Sequence, residues 1–308
     1  MIIRPHISVV SPIYRAENIV EKLVDEIQKV MEPLNVTYEI ILVDDRSPDN
    51  SWQVMKQLSS NFPEVKSIRL SRNFGQHPAI MAGLSFAAGD WIVVMDCDLQ
   101  DQPKEIKRMY AKAIEGYDMV LAKRQKRKDG FFKKMSSIFF YSVFNYFSGI
   151  SVNSEVANFG IYNRKVINSI IQINDYIKFF PLFVKWVGFR SFELEVEHNE
   201  REEGKSSYSL KKLISLALDT ILSFSDKPLK IFTILGFSIS MIAFLFGCYF
   251  MFGALTGRIT EPGFSSLIIS IWFLSGIIIS TIGVVGIYLG KTFNQVKNRP
   301  IFIIDEKI

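Results

Sequence analysis

Apolar residues in the first part of the chain follow two alternating patterns. HISVVSPIY (His6–Tyr14) and YEIILVD, which begins at Tyr38, are nearly continuous apolar runs that predict buried strands. Between them, NIVEKLVDEIQKVMEPL has apolar residues at helical spacing, and Pro33 is expected to end that helix. The same alternation continues through SWQVMKQLSSNF, VKSIRLSRN, PAIMAGLSFAAG, DWIVVMD, PKEIKRMYAKAIEG and DMVLAKR. Strands that alternate with helices predict an α/β domain built on a mostly parallel sheet.

The last third of the chain contains two long stretches without Asp, Glu, Lys or Arg, Ile231–Gly257 and Gly263–Gly290. Each exceeds the roughly 20 apolar residues that are needed to cross a hydrocarbon core of about 30 Å. The short segment GRITEP joins them, so the pattern predicts a hairpin of two transmembrane helices. Two buried helices of a soluble protein are the alternative, but buried helices of this length nearly always carry some charge.

Basic residues flank both stretches and are nearly absent from the loop between them. Lys227 and Lys230 precede the first stretch, whereas Arg258 is the single basic residue of the loop. The second stretch is followed by Lys291, Lys297, Arg299 and Lys307. By the positive-inside rule, both flanks and both termini are expected in the cytoplasm. The opening MIIRPHISVVSPIY predicts a short strand rather than a signal peptide.

Four regions follow from these patterns. Residues 1–205 are expected to form the cytoplasmic α/β domain. Residues 206–228, which include SLKKLISLALDTILSFS, are expected to form a juxtamembrane amphipathic helix. Residues 229–290 contain the two transmembrane helices, and residues 291–308 form a cytoplasmic tail.

Charge adds a candidate membrane-facing surface to this picture. Hydrophobic residues make up 48% of the 308 residues, and the net charge is +5. KRQKRKDGFFKK has seven Lys or Arg residues between Lys123 and Lys134, and the aromatic segment MSSIFFYSVFNYFSG follows it. Basic residues beside an aromatic helix favour an anionic membrane interface, and we expect no nucleic-acid partner. A solvated charge run beside a core helix is the alternative.

Cysteine and histidine usage argues against two kinds of site. Cys97 and Cys248 lie in different environments, so we expect no disulfide. The three histidines His6, His77 and His198 are scattered, which makes a zinc site improbable. His77 is expected in a loop or at the start of a helix rather than as a ligand.

Polar side chains follow three of the predicted strands at the point where each strand ends. Pro12 and Tyr14 end the first, Asp44 and Asp45 end the second, and Asp96 and Asp98 end the fourth. One acidic strand end is usually a turn or a helix cap. Ligands of open α/β sheets, however, bind outside the carboxyl ends of the strands, and three such ends at one edge predict a binding site. Neither a GxGxxG nor a P-loop motif is present.

The acidic segment VVMDCDLQDQP has the chemistry of a metal site. In an extended segment, Asp96 and Asp98 would point the same way, and two nearby carboxylates repel each other. A divalent cation removes that repulsion, and Mg²⁺ or Mn²⁺ is commonly held by one or two carboxylates together with substrate phosphates. The pattern therefore predicts a metal–diphosphate site, with Asp101 capping a helix near Pro103 and Cys97 a small filler.

An ordered set of motifs extends through nearly the whole chain. These are VVSPIYRAENI, YEIILVDDRSPDNS, LSRNFGQHPAIMAGLSFAAGDWIVVMDCDLQDQP, GYDMVLAKR, REEGKSSYSLKKL, DTILSFSDKPLK, EPGFSSL and GIYLGKTFNQVKNRP. They resemble the inverting family 2 glycosyltransferases of GT-A fold. The likeness is greatest to the membrane-anchored polyprenyl-phosphate glycosyltransferases, which include dolichol-phosphate mannose synthase and the GtrB and ArnC types.

The resemblance implies a role for each motif residue in this chain. The donor nucleotide would contact Pro12, Tyr14, Glu17 and Asp44, with Asp44 on the base or ribose side. The metal and the donor diphosphate would be held by Asp96, Asp98 and Gln100. The phosphates and the lipid acceptor would be held by Arg124, Arg201 and Ser207. Surface positions for the two arginines, and a place in the first turn of a helix for Glu17, are the alternatives.

The sequence departs from the family pattern at two places. The family motif DFRL is here ANFGIYNRKV, so Asn158 stands where an Asp is usual and Gly160 where an Arg is usual. Asn158 cannot accept a proton as a base, but it can accept a hydrogen bond, which favours a subgroup difference over lost activity. Arg46 also replaces the Gly that is usual in DDGS.

The resemblance also implies the reaction and its surroundings. A polyprenyl phosphate would attack a nucleotide sugar with inversion, with Asp98, Arg124, Asn158 and Arg201 as the catalytic residues. It implies Mg²⁺ or Mn²⁺, a donor that is more often a UDP-sugar, a homotetramer and the bacterial inner membrane. The alternatives are a processive synthase, whose Q-x-x-R-W motif is absent here, and a catalytically silent membrane scaffold.

Overall fold

The computed structural model describes residues 4–124, 147, 156–173, 175, 179–196, 225, 227–256 and 263–308. The chain divides into two compact units. One comprises Met1–Asn145, Ile150–Lys211 and Arg299–Ile308, and the other comprises Tyr146–Gly149 and Lys212–Asn298. The segment that follows the apolar stretches thus returns to the first unit.

The first unit contains strands and helices in alternation. Its strands are β1 (Ile7–Ile13), β2 (Tyr38–Asp44), β3 (Val65–Leu70), β4 (Trp91–Val94), β5 (Met119–Arg124), β6 (Val156–Asn163), β7 (Ser191–Val196) and β8 (Ile304–Lys307). Its helices are α1 (Val20–Met31), α2 (Ser51–Asn61), α3 (Gln76–Phe86), α4 (Glu105–Ala113), α5 (Arg164–Gln172) and α6 (Phe180–Trp186). Helix α1 ends at Met31, and the 3₁₀ turn that follows, Glu32–Leu34, contains Pro33, which the sequence predicts as the helix stop.

All eight described strands form one sheet in the order β7-β5-β6-β4-β1-β2-β3-β8. Strands β1, β2, β3 and β4 pair in parallel, and β5 pairs in parallel with β7. Strand β6 runs antiparallel between β4 and β5, and β8 runs antiparallel beside β3. The predicted α/β fold with a mostly parallel sheet is confirmed. Strands β6, β7 and β8 were not predicted.

Helix α3 packs against the centre of the sheet with little space between them. Strands β1 and β2 are fully buried along nearly their whole length, as expected for parallel strands covered on both faces. A Cβ atom at Gly83 of α3 would overlap Val10 Cγ1 and lie 3.1 Å from Val43 Cγ2. The absence of a side chain at Gly83 therefore sets how closely α3, and the loop that precedes it, approaches the sheet.

The second unit contains two long apolar helices, α7 (Lys227–Leu255) and α8 (Phe264–Val296). Both are long and apolar enough to cross a membrane. Large apolar side chains such as Phe237 and Ile279, each 69% exposed, lie along them, and such surfaces are unusual in water. Helix α8 continues beyond the expected limit at residue 290, and α7 begins before residue 229. Of the juxtamembrane helix expected at residues 206–228, the structure describes only Ser225 and the first two residues of α7.

We predict that Gly83→Ala destabilises the protein despite the better helix propensity of alanine. Overpacking against the stiff Val10 side chain costs about 1–3 kcal/mol, whereas alanine gains about 1 kcal/mol over glycine in a helix. Thermal unfolding of the detergent-solubilised protein measures the difference.

Val10→Ala provides the matched control, because it removes the overlapping methyl group. The double variant should be less destabilised than the sum of the two single variants. Strictly additive losses would contradict close packing at this point.

Candidate active site

The carboxyl ends of the parallel strands bring the predicted site residues to one edge of the sheet. Tyr14 follows β1, Asp44 ends β2, Asp96 follows β4 and Arg124 ends β5. The antiparallel strand β6 begins at this same edge, which adds Asn158 to it. This convergence is what the alternation of strands and helices predicts.

Asp45 fixes the loop that precedes α3. It is 3% exposed, and its Oδ1 and Oδ2 accept hydrogen bonds from the backbone N–H groups of Phe74 (2.7 Å) and Gly75 (2.8 Å). Gly75 has φ +100°, a conformation that favours glycine. Burial raises the pKa of Asp45, and the two backbone hydrogen bonds oppose that rise. The carboxylate thus ties the end of β2 to the start of α3.

The first residue of α3 connects this loop to the acidic segment. Gln76 Nε2 donates a hydrogen bond of 2.6 Å to Asp96 Oδ1. His77 follows in the first turn of α3, with its ring edge-on to Phe179 at 4.8 Å. Burial lowers the pKa of His77 to about 4, so the ring is neutral at pH 7. Gln76 therefore orients one carboxylate of the predicted metal site.

The acidic segment itself is a turn, which corrects the expectation of an extended D-x-D. Strand β4 ends at Val94, Cys97 and Asp98 form a turn, and Leu99 has φ +55°. Asp98 Oδ1 accepts a hydrogen bond of 3.2 Å from the backbone N–H of Gln100. Turn geometry, and not the alternation of side chains along a strand, therefore sets the directions of the two carboxylates.

Two minor expectations for this segment have different outcomes. Asp101 is buried, but α4 begins at Glu105 and its N-cap is Lys104, so the predicted cap by Asp101 is wrong. Burial raises the pKa of the Cys97 thiol to about 12, and the nearby Asp96 and Asp98 contribute to the rise. The thiol is therefore protonated at neutral pH and is a poor nucleophile.

Asp44 is fully buried at the end of β2. Its Oδ1 accepts a hydrogen bond of 2.9 Å from the backbone N–H of Ser47, and its Oδ2 lies 3.2 Å from Arg69 Nε. Burial is the largest influence on Asp44 and raises its pKa. These contacts hold the loop Asp45–Arg46–Ser47, and a direct contact between Asp44 and a nucleotide stays a prediction.

The loop after β1 is bonded to the loop after β2. Glu17 Oε2 accepts a hydrogen bond of 2.8 Å from the backbone N–H of Asn50, the N-cap residue of α2. This hydrogen bond supports the start of α2. Helix α1 begins only at Val20, so the alternative place for Glu17 in the first turn of that helix is wrong. Pro12 is buried within β1, whereas Tyr14 is 43% exposed and has the Arg15 guanidinium 5.5 Å from the centre of its ring.

The structure describes only part of the predicted phosphate-binding set. Arg124 is the last residue of β5, where it pairs in register with Val196 of β7. Arg201 and Ser207 lie outside the described residues. Their contacts with phosphates or with a lipid stay predictions.

The two departures in β6 have a local structural context. In the ladder between β4 and β6, Val94 pairs with Gly160, and two further steps of this register would set Asn158 opposite Asp96. A Cβ atom at Gly160 would lie 2.5 Å from the hydroxyl oxygen of Tyr162, on the same face of the strand. The buried Tyr162 ring therefore occupies the space that a side chain at position 160 would enter.

The acidic turn has the right ligand chemistry for a hard divalent cation. Two carboxylates, Asp96 and Asp98, and the side-chain amide of Gln100 offer oxygen atoms, which suit Mg²⁺ or Mn²⁺. Among the described residues, no group of three or more His, Cys, Asp or Glu side chains is arranged to hold a metal. The residues present thus fit a cation that completes its coordination with substrate phosphates and water, and do not fit a closed structural site.

A family profile described as "Glycosyl transferase family 2" matches residues 8–173, more than half of the chain. This chain belongs to glycosyl transferase family 2. The matched range contains the strand ends from Pro12 to Asn158 that meet at one edge of the sheet. We call this edge, which includes Asp44, Asp45, Asp96 and Asp98, the acidic edge.

Similar proteins extend the likeness through the apolar helices. The chain is 36% identical to the uncharacterized glycosyltransferase YkcC of Bacillus subtilis, over 97% of this chain and 93% of that protein. It is 34% identical to the undecaprenyl-phosphate 4-deoxy-4-formamido-L-arabinose transferase of Proteus mirabilis, over 98% and 94%. It is also 34% identical to the SfII prophage-derived bactoprenol glucosyl transferase of Shigella flexneri, over 97% of each.

Among solved structures, the glucosyl-3-phosphoglycerate synthase of Mycobacterium tuberculosis is similar with a TM-score of 0.48 at 14% identity. That likeness covers 71% of this chain and 78% of the other.

Sequence reasoning placed Asp45 at the acidic end of β2 but did not predict its hydrogen bonds to the start of α3, and it missed Gln76. Asp45 adjoins Asp44 in a doubled acidic strand end, and that doubling was the available signal. The Gln76 amide could not be assigned to Asp96, because the contact joins two elements 20 residues apart whose packing depends on Gly83.

We predict that Asp45→Ala loosens the start of α3. Removing the carboxylate leaves the N–H groups of Phe74 and Gly75 without their acceptor, which costs about 1–3 kcal/mol. Thermal unfolding and hydrogen exchange at these two amides measure the effect.

Asp45→Asn is the matched control, since its amide keeps one acceptor oxygen of similar shape. It should give an intermediate loss. Wild-type stability together with unchanged amide protection in Asp45→Ala would contradict the assigned role.

Proposed function

We propose that this family 2 glycosyltransferase transfers a sugar from a nucleotide-sugar donor to a polyprenyl phosphate at a membrane, with inversion. The observation that carries the proposal is the acidic edge of the sheet, on a chain whose two apolar helices are long enough to span a bilayer. The named relatives act on undecaprenyl phosphate and bactoprenol and align over both features, which supports the same class of acceptor.

The chemistry of the acceptor suits the residues at this edge. A phosphate monoester has a second pKa near 6 and is mostly a dianion at pH 7, so it attacks without a strong base. Asn158 in place of Asp is therefore compatible with activity, because its amide can orient the acceptor by hydrogen bonding. Attack on the face of the anomeric carbon opposite the leaving diphosphate gives inversion.

The leaving diphosphate requires positive charge. A divalent cation held by Asp96, Asp98 and Gln100 would neutralise the charge that develops on it. Gln76 holds Asp96 in place for this task, and the backbone of Gln100 holds Asp98. We expect Arg124 and Arg201 to contribute further positive charge toward the diphosphate or the lipid phosphate.

Strand β8 supports a topology in which both ends of the helical hairpin emerge on one side. It follows α8 in the chain and pairs with β3, in the sheet whose seven other described strands all precede α7. A chain that crosses a membrane twice has its segments before the first crossing and after the second on the same side. The basic flanks and the positive-inside rule assign that side to the cytoplasm, and we propose the bacterial plasma membrane as the location.

A donor panel tests the proposed function directly. Radiolabelled UDP-, GDP- and dTDP-sugars are each incubated with a short-chain polyprenyl phosphate and with either Mg²⁺ or Mn²⁺. We expect one donor, with a UDP-sugar favoured, to give a lipid-linked monosaccharide of inverted anomeric configuration by NMR. The absence of product with every donor and either metal would favour a silent scaffold.

Asp98→Ala tests the role of the acidic turn. We expect transfer to fall by about 100-fold or more, since a charge-stabilising contact to the leaving group is lost. Asp90→Ala is the matched control, because this exposed carboxylate adjoins the opposite end of β4 and should leave transfer unchanged. Near-normal activity of a folded, membrane-bound Asp98→Ala variant would contradict the assignment of Asp98 as a metal ligand.

A further inference from the structure

The segment that follows α8 completes the edge of the sheet. Strand β8 pairs with β3, and the backbone bonds at its ends join Ser71 N–H to Ile303 O (2.9 Å) and Ser67 to Ile308 in both directions (3.0 and 2.9 Å). The edge of a sheet exposes unpaired backbone groups that favour association with other chains. We call residues 299–308 the returning segment.

The returning segment contacts the loop that carries Asp44 and Asp45. Asp305 Oδ2 lies 2.5 Å from Arg46 Nη1, and the two side chains are 47% and 42% exposed. Arg46 has φ +56°, a left-handed conformation that is costly for a non-glycine residue. Glycine would avoid this cost, but it could not reach Asp305. The ion pair with Asp305 therefore depends on the arginine side chain at position 46.

A second contact reaches Asp44 from the same segment. Glu306 accepts a hydrogen bond of 3.1 Å from Trp52 Nε1, and it stands opposite Arg69 in the β3–β8 register. The Arg69 guanidinium lies 5.6 Å from the centre of the buried Trp52 ring. Arg69 Nε in turn lies 3.2 Å from Asp44 Oδ2. Trp52 and Arg69 therefore connect Glu306 to the buried carboxylate at the end of β2.

We propose that the returning segment is a positioning element for the donor nucleotide, and that Asp305 and Glu306 act through Arg46, Trp52 and Arg69. This inference rests on the proposed function, because it assigns the loop after β2 to the donor. Neither Asp305 nor Glu306 needs to touch the substrate. Residues 297–303 join α8 to β8 in the chain, and Asp305 of β8 contacts Arg46 in the loop after β2.

Asp305→Asn tests the proposal. We expect the donor KM and the dissociation constant of the matching nucleoside diphosphate to rise by about two- to fivefold, the range of an exposed ion pair. The kcat and the acceptor KM should stay unchanged. Asp305→Glu should restore donor binding, and higher salt should narrow the difference between Asp305→Asn and wild type. An unchanged donor KM and unchanged nucleotide affinity in Asp305→Asn would overturn the proposal.

A double-variant cycle identifies the route. Glycine tolerates the backbone at position 46, so Arg46→Gly removes the ion pair without adding strain. In that background, Asp305→Asn should have no further effect on donor KM. Additive effects would show that Asp305 acts independently of Arg46 and would overturn the route proposed here.

Asp25→Asn is the matched control, because it removes an exposed ion pair of 2.6 Å with Lys29 on α1. Its donor KM should equal that of wild type. Nucleotide affinity is measured by calorimetry with UDP, GDP and dTDP, without an acceptor. A wild-type protein that binds a nucleotide but transfers no sugar would count against the proposed function alone. The nucleotide affinity of Asp305→Asn relative to wild type would still test the role of the returning segment.

Discussion

Both oxygens of the buried Asp45 carboxylate accept backbone hydrogen bonds from Phe74 and Gly75, and the acidic edge is assembled around this contact. It fixes the end of β2 against the start of α3. Gln76 is the next residue, and it holds Asp96 at the end of β4. Two strand ends that are not adjacent in sequence thus share one helix terminus. Gly83 makes the arrangement possible, because it allows α3 to lie close to the sheet.

Three of the five described non-glycine residues with positive φ lie in the loops at this edge. Arg15 after β1, Arg46 after β2 and Leu99 after β4 have φ of 53°, 56° and 55°. Such conformations persist where neighbouring contacts determine the backbone, and they are common at functional sites. Here the Arg15 N–H donates to Ser47 Oγ, Arg46 pairs with Asp305, and the Leu99 side chain is buried. The loops after β1 and β2 therefore support one another, and a change in one is expected to reach the other.

The sequence predicted the parallel part of the fold because its strands are continuous apolar runs with polar ends. It did not predict β7, most of whose residues are only partly buried or exposed, or β8, whose sequence is polar. The convergence of Asp44, Asp96 and Asp98 followed from strand direction alone. The turn at Cys97 and the contacts of Gln76 could not be predicted, because they depend on a left-handed residue and on packing between distant elements.

Strand β8 also imposes an order on the maturation of the protein. Arg46 and Asp305 are 259 residues apart, and both apolar helices lie between them. During synthesis, the edge of β3 that pairs with β8 stays unpaired until the helical hairpin and the segment after it have been synthesised. Contacts of such long sequence separation form late and leave exposed strand edges vulnerable to aggregation. The sheet can therefore be completed only after both apolar helices have been synthesised.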